Sequence, residues 1–317
     1  MKKEIVIGID IGGTNTDFGI VDKDGNILWN DSIKTAQYDN IEHYINEISI
    51  KIKTILKKFK TDFIVKGVGV GAPNGNYFTG NIEFAPNLKW KGIIPFANLL
   101  SKELNLPVTL TNDANAAALG EMIYGAAKGM KDFIVITLGT GVGSGIVVNG
   151  ELLYGHDGFA GELGHTVVFP DGRLCGCGKN GCLETYASAT GIVKTAFEKL
   201  DNLKNHSLLR SIDRITLSSK DIFIAAEKGD KIALEIFEFT GKVLGLKLAD
   251  AIAFSSPEAI ILFGGLANAG EYIFTPTKKY MEYYLLPFFR NKVKLLPSLL
   301  KKQNAAVLGA AALAWKI

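Results

Sequence analysis

Short apolar runs punctuated by turn residues open the chain: Ile5–Asp10, then Gly12-Gly13-Thr14, then Phe18–Val21, with Asp24-Gly25 turning into a third run through Leu28 and Trp29. Runs of this length predict three strands of a meander. Over Ile41–Phe59 the apolar spacing lengthens to that of a helix, and the lysines between Lys51 and Lys60 give it a solvated face. Ile64–Val70 predicts a strand ending in Gly71-Ala72-Pro73-Asn74-Gly75. Val108–Leu110 predicts a short one ending in Thr111-Asn112-Asp113, followed at once by an Ala-rich helix from Ala114 to about Ala126. The order β-β-β-α-β-α-β-α predicts an α/β lobe with a mixed sheet.

The pattern then recurs. Phe133–Leu138 predicts a strand, Gly139-Thr140-Gly141-Val142-Gly143 a loop, Gly145–Val148 a second strand, and Asn149-Gly150 a turn into Glu151–Tyr154. Ala259–Phe263 ends in Gly264-Gly265 much as Ile64–Val70 ends in Gly71. A duplicated supersecondary unit at this spacing predicts two similar lobes with a ligand cleft between them. The Ala-rich segment Ala305–Trp315 predicts a last helix packed back on the first lobe. The expected division is a smaller lobe of residues 1–115 plus about 303–317 and a larger one of 116–302.

Composition adds exclusions. The chain has 317 residues, too many for one comfortable core, with 47% hydrophobic and 21% charged residues and a net charge of +3. No basic stripe interleaved with aromatics points to nucleic acid. The N-terminus runs directly into a strand with no apolar signal region, and the uncharged stretch 133–150 reads as a hairpin and not as a membrane span, so a cytoplasmic protein is expected.

The chemistry concentrates in three places. A nucleotide's phosphates need several backbone N–H donors at close range, which glycine permits and threonine supplements. Asp10-Ile11-Gly12-Gly13-Thr14 supplies them with a carboxylate suited to Mg²⁺, directly or through water, and Thr140 and Gly141 supply a second set. Gly264 and Gly265 would suit the adenosine. Neither hairpin loop continues into Gly-Lys-Ser/Thr, so neither is a Walker A loop. Asn112-Asp113 sits where a strand meets a helix. Asp113 there can accept a proton from a substrate hydroxyl and Asn112 can bond a sugar hydroxyl, but both residue types are also common helix caps. Finally, Cys175, Cys177 and Cys182 are all the cysteines of the chain, and His165 lies ten residues before the first. Three thiolates and one imidazole complete a tetrahedral zinc shell with no open position, hence structural zinc. Glu162 and Glu184 flank this cluster and can accept hydrogen bonds from sugar hydroxyls.

In this combination the chain resembles the ROK family of sugar kinases and repressors, within the two-lobed actin-like ATPase (ribonuclease H-like) and hexokinase fold. Asp10-x-Gly-Gly-Thr14 and Leu138-Gly-Thr-Gly-Val-Gly143 are similar to its phosphate motifs. Glu162-x-Gly-His165 and Cys175-x-Cys-Gly-x-x-Gly-Cys182-x-Glu184 are similar to its sugar and zinc motifs. The resemblance implies an ATP- and Mg²⁺-dependent kinase acting on the 6-hydroxyl of glucose, with mannose also accepted, and Asp113 as its base. Asn87, Asn112, Glu162, His165 and Glu184 would bind sugar hydroxyls, Asn87 being placed by Asn-Leu-Lys-Trp90. N-acetylmannosamine or N-acetylglucosamine kinase activity is the alternative, and a non-catalytic sugar-responsive regulator a remoter one. The family's repressors carry a helix-turn-helix before the first phosphate loop. Only nine residues precede Asp10 here, and they read as a strand, so no nucleic-acid partner is expected. A homodimer is the expected assembly. One departure stands out: Gly71-Ala-Pro-Asn-Gly-Asn76 replaces a Pro-Gly followed by an acidic residue, in a loop near the sugar.

Overall fold

The computed structural model describes residues 2–59, 62–202, 205–300 and 305–315. Lys60 of the lysine-rich stretch, and residues 303–304 and 316–317 of the expected C-terminal segment, lie outside them. The N-terminal half runs β1 (Lys3–Ile11), β2 (Thr16–Asp22), β3 (Ile27–Ile33), α1 (Ile41–Phe59), β4 (Phe63–Gly71), β5 (Ile82–Glu83), β6 (Ile93–Ile94), α2 (Phe96–Leu104), β7 (Val108–Thr111) and α3 (Asp113–Tyr124). It continues with β8 (Phe133–Leu138), β9 (Val142–Val148), β10 (Glu151–Leu152), α4 (Glu184–Ala187), α5 (Ala189–Asn202), α6 (Ser219–Glu227), α7 (Lys231–Ser255), β11 (Ala259–Phe263), α8 (Glu271–Tyr284), β12 (Lys294–Pro297) and α9 (Ala305–Ala314).

Two five-stranded mixed sheets have the same plan. Their orders are β3-β2-β1-β4-β7 and β10-β9-β8-β11-β12, antiparallel among the first three strands and parallel among the last three. The duplication read from the Gly-Thr hairpins therefore extends to every strand of each sheet. β1 and β8 are apolar almost throughout because both their faces are covered. Ile5, Ile7 and Ile9 join Tyr44, Ile48 and Phe96 from α1 and α2, while Val6 faces α9. Likewise Ile134 and Ile136 join the α5–α8 layer, while Phe133 and Val135 meet α3.

α3 and α9 fill the space between the sheets. α9 packs on β1, β4 and α3, so closely that a Cβ added at Gly8 or Gly69 would overlap its backbone. α3 packs in turn on β8 and β9. That packing explains one difference from expectation: the second hairpin's return strand begins at Val142 and not at Gly145. Gly143 and Gly145 lie on the pleat against α3, where a Cβ would come within 3.0 Å of the Ala114 Cβ and 2.7 Å of the Ala118 Cβ respectively. Their glycines serve close approach, not a loop. The following strand is also shorter than expected, Glu151–Leu152. Among the described residues no helix is long and apolar enough to cross a membrane.

Candidate active site

The strand ends and helix starts that face the cleft carry nearly all the residues singled out in the sequence. Asp10 lies near the end of β1, opposite Asp17 on β2 and Gly71 on β4. A Cβ on Gly71 would lie 3.6 Å from the Asp10 carboxylate and 3.7 Å from the Asp113 Cα, so this glycine separates the two acids. Burial, and then the negative charges of Asp113 and Asp17, push the Asp10 carboxyl up to about 7. A buried acid in that state lacks a cationic neighbour, which suits a divalent cation bound with phosphate.

The tetrapeptide 112–115 resolves into two tasks. Asn112 is the cap of α3: its Oδ1 accepts the Asn115 N–H at 2.7 Å, which leaves its NH₂ free to donate. Asp113 is the first helical residue, and its Oδ1 accepts the Ala114 N–H at 2.8 Å. Solvent reaches Asp113, yet protein surrounds it on its other sides. Poor solvation raises its pKa, opposed by the N–H groups of Ala114 and of Asp113 itself.

The first glycine loop touches the predicted sugar segment directly. A Cβ on Gly13 would come within 2.7 Å of the Asn87 carbonyl oxygen, so only glycine allows this contact. Leu88 and Trp90 bury themselves beside Asn87, and the Trp90 indole N–H donates to the Tyr38 carbonyl at 3.0 Å, leaving Asn87 exposed. Thr16, just past this loop, is fully buried and bonds Thr35 at 2.7 Å and Tyr44 at 2.8 Å. It braces the loop from beneath, while Thr14 stays exposed.

The second loop is held from α4 and α5. Glu184, at the start of α4, accepts the Val142 N–H on Oε2 at 3.1 Å, and its Oε1 lies 3.7 Å from the Cys175 thiol. A Cβ on Gly141 would overlap that Oε2. The Ala189 N–H donates to the Gly139 carbonyl, and the Thr190 hydroxyl to that of Thr140. Gly264 abuts the end of β8, within 2.8 Å of the Leu138 carbonyl were it to carry a Cβ, and Gly265 faces open space. Residue spacing gave no sign that Glu184 braces the second glycine loop, because the two segments are 42 positions apart.

Between the loops stand Glu162 and His165. The His165 Nε2 is 3.9 Å from the Glu162 carboxylate and its Nδ1 is 3.6 Å from the Cys175 sulfur, so the ring's two nitrogens serve opposite sides. Burial pushes the Glu162 carboxyl up; His165 opposes this, and the charges of Asp113 and Glu184 add to it. Three acids from separate segments of the chain, Asp113, Glu162 and Glu184, thus share one electrostatic environment. The donor atoms of His165, Cys175, Cys177 and Cys182 all lie within 4.8 Å of one another, with Cys177 and Cys182 sulfurs 3.6 Å apart. Tetrahedral zinc with thiolate and imidazole ligands has edges of roughly 3.5–3.8 Å, so the donor set fits that ion. Burial and the neighbouring thiols push Cys182 up to about 12, a cost that a bound cation reverses.

Sequence reasoning missed Arg173, which lies in the cysteine loop. Its guanidinium donates to Glu198 at 2.7 and 2.6 Å, to the Thr185 and Gly191 carbonyls at 2.6 and 3.1 Å and to the Thr195 hydroxyl at 2.9 Å, and it stacks on Tyr186 at 4.3 Å. It ties the cysteine loop to α4 and α5. A separate groove of about 480 Å³ between α7 and α8, lined by Leu234, Phe237, Tyr272 and Pro276 among others, includes none of the site residues.

The ROK family's sequence model matches residues 6–317. A glucokinase of Halalkalibacterium halodurans is 40% identical over 90% of this chain and 88% of its own. The crystal structure of a ROK family glucokinase from Streptomyces griseus, in complex with glucose and AMPPNP, superposes with a TM-score of 0.82 at 34% identity, covering 99% of this chain and 100% of that one. The xylose repressor of Bacillus subtilis is 30% identical over 96% of this chain and 75% of its own. The duplicated sheets are those of the two-lobed actin-like ATPase fold. Matched over nearly its full length and carrying the glycine loops and the His/Cys cluster in this order, the chain belongs to the ROK family.

Proposed function

We propose that this protein is an ATP-dependent hexose kinase that transfers the γ-phosphoryl group to the 6-hydroxyl of glucose, with mannose also accepted. The observation that carries the proposal is the shared environment of Asp113, Glu162 and Glu184, set between two glycine loops. A hydroxyl becomes a competent nucleophile when a base takes its proton as the P–O bond forms. Asp113 is that base: water reaches it, it is not consumed by helix capping, and poor solvation on its protein side raises its basicity. Asn87, the Asn112 amide, Glu162, the His165 Nε2 and Glu184 hold the sugar's other hydroxyls. Backbone N–H groups around Gly12, Gly13 and Thr14, and around Thr140 and Gly141, take the phosphates, and Gly264-Gly265 lies against the adenosine. Mg²⁺, held through Asp10, would neutralise phosphate charge. Zinc on His165, Cys175, Cys177 and Cys182 would fix the loop that presents Glu162 and Glu184.

The test is a coupled ATP assay across glucose, mannose, fructose, N-acetylglucosamine and N-acetylmannosamine, with Asp113→Asn beside the wild type. Glucose should give the highest kcat/KM, and Asp113→Asn should lower kcat by about 10³ with sugar affinity nearly unchanged. Highest kcat/KM on an N-acetyl hexosamine would shift the substrate, and unchanged turnover in the variant would remove Asp113 as the base. The repressor among the relatives gives the second reading, a sugar sensor, which hexose binding without any turnover would establish.

A further inference from the structure

The loop that departs from the family's pattern reaches across the cleft. Asn76 is 3% exposed. Its Oδ1 accepts the Phe78 and Thr79 N–H groups at 3.0 and 3.4 Å, which shapes its own loop. Its Nδ2 donates to the Asp157 carbonyl at 2.8 Å, in the segment that follows β10 of the other sheet. Asp157 lies five residues before Glu162. The approach is close: Gly158 has φ +92°, and a Cβ there would come within 2.6 Å of the Asn76 Oδ1. Beside it Tyr77 stacks on Tyr154 with ring centroids 4.0 Å apart at 10°, and Phe78 meets Tyr154 edge-on at 5.8 Å. At its other end the loop is seated on β7, where the Gly75 backbone abuts the Thr111 carbonyl, one residue before Asn112.

A single side chain must here accept two N–H bonds and donate one. A primary amide does both, whereas a carboxylate can only accept. We propose that Asn76 is a positioning residue for the sugar: it fastens segment 154–161, and with it Glu162 and His165, opposite Asp113 before the sugar arrives. The inference rests on the hexose-kinase reading. With this contact intact the sugar meets a preset acceptor array, and ordering cost is not taken from its affinity.

Asn76→Asp isolates the crossing bond, since it keeps both acceptor bonds and loses the donor. Gly158→Ala displaces the same bond from the far side without adding charge. Both variants should raise the hexose Kd, read by intrinsic tryptophan fluorescence without nucleotide, and the hexose KM by about tenfold. The kcat, the KM for ATP and the zinc content should stay within twofold. Wild-type hexose affinity in either folded variant overturns the inference, as does an equal loss in the KM for ATP and kcat, which would mean general loosening. Failure of the underlying reading looks different: the unmutated protein would then phosphorylate no hexose, and the Asn76 inference would fall with it.

Discussion

Glu184 spans from the cysteine cluster to the second glycine loop, with one carboxylate oxygen on the Val142 N–H and the other beside the Cys175 thiol. Gly141 leaves the room for it. Gly141→Ala should therefore damage both substrates at once, raising the KM for ATP and for hexose by about tenfold each, whereas a substitution that touched only the phosphates would raise the first alone. Steady-state kinetics with each substrate varied separately distinguish these outcomes.

Asp10 makes the protein's pH response specific. Its carboxyl titrates at about 7 in the folded chain against an ordinary 3.8. The folded state therefore favours the protonated form. That stabilisation is full below about 4 and is lost as pH rises through 7. The nucleotide-free, magnesium-free protein should lose melting temperature between about pH 4 and 7 more steeply than Asp10→Asn does. The KM for magnesium-bound ATP should run the other way, falling as the acid ionises. Parallel melting curves for the two proteins would disprove the assignment.

Cys177→Ser removes one of four donors from the cluster. The expected result is loss of zinc by elemental analysis and a melting temperature lower by on the order of 10 °C. Because Cys175 and Glu184 are in contact, hexose affinity should fall too. A native protein that contains no zinc after purification without chelators would refute the metal assignment.

Arg173 should matter for stability out of proportion to its place in a loop. Its ion pair with Glu198 contributes little, since that glutamate side chain is 55% exposed. The bonds to the Thr185 and Gly191 carbonyls and to Thr195 are buried or nearly so. Arg173→Ala should cost about 2–3 kcal/mol in denaturant unfolding. Arg173→Lys should recover less than half of it, because an ammonium has three donors and no planar fork.

The legible parts of this protein were those written in short range. Glycine–threonine loops repeated at domain spacing gave the duplication, and four soft ligands within eighteen positions gave the metal cluster. The tetrapeptide 112–115 left capping and catalysis open because both use the same residue types. In the fold Asn112 is the cap, accepting the Asn115 N–H, and Asp113 is the first helical residue. Gly143 read as loop because a glycine needed for close packing looks the same in sequence as one needed for a turn. Arg173 went unread because its partners on α4 and α5 follow no motif, and the loop of Asn76 stood out as a departure without any spacing that encodes its meeting with Asp157, 81 positions on.

The seating of α9 on β1 and β4 carries a consequence for biosynthesis. Val6 and Val21, on the first two strands, find their covering partners Val307, Leu308 and Ala311 only when α9 has been made. Until then one face of the first sheet is bare, and the earliest-made half of the protein cannot close its core. Nascent chains halted before α9 should therefore be chaperone clients, since that helix covers Val6 and Val21 of the first sheet and, through Ala312 and Leu313, also packs with Phe133, Val135 and Ile261 of the second.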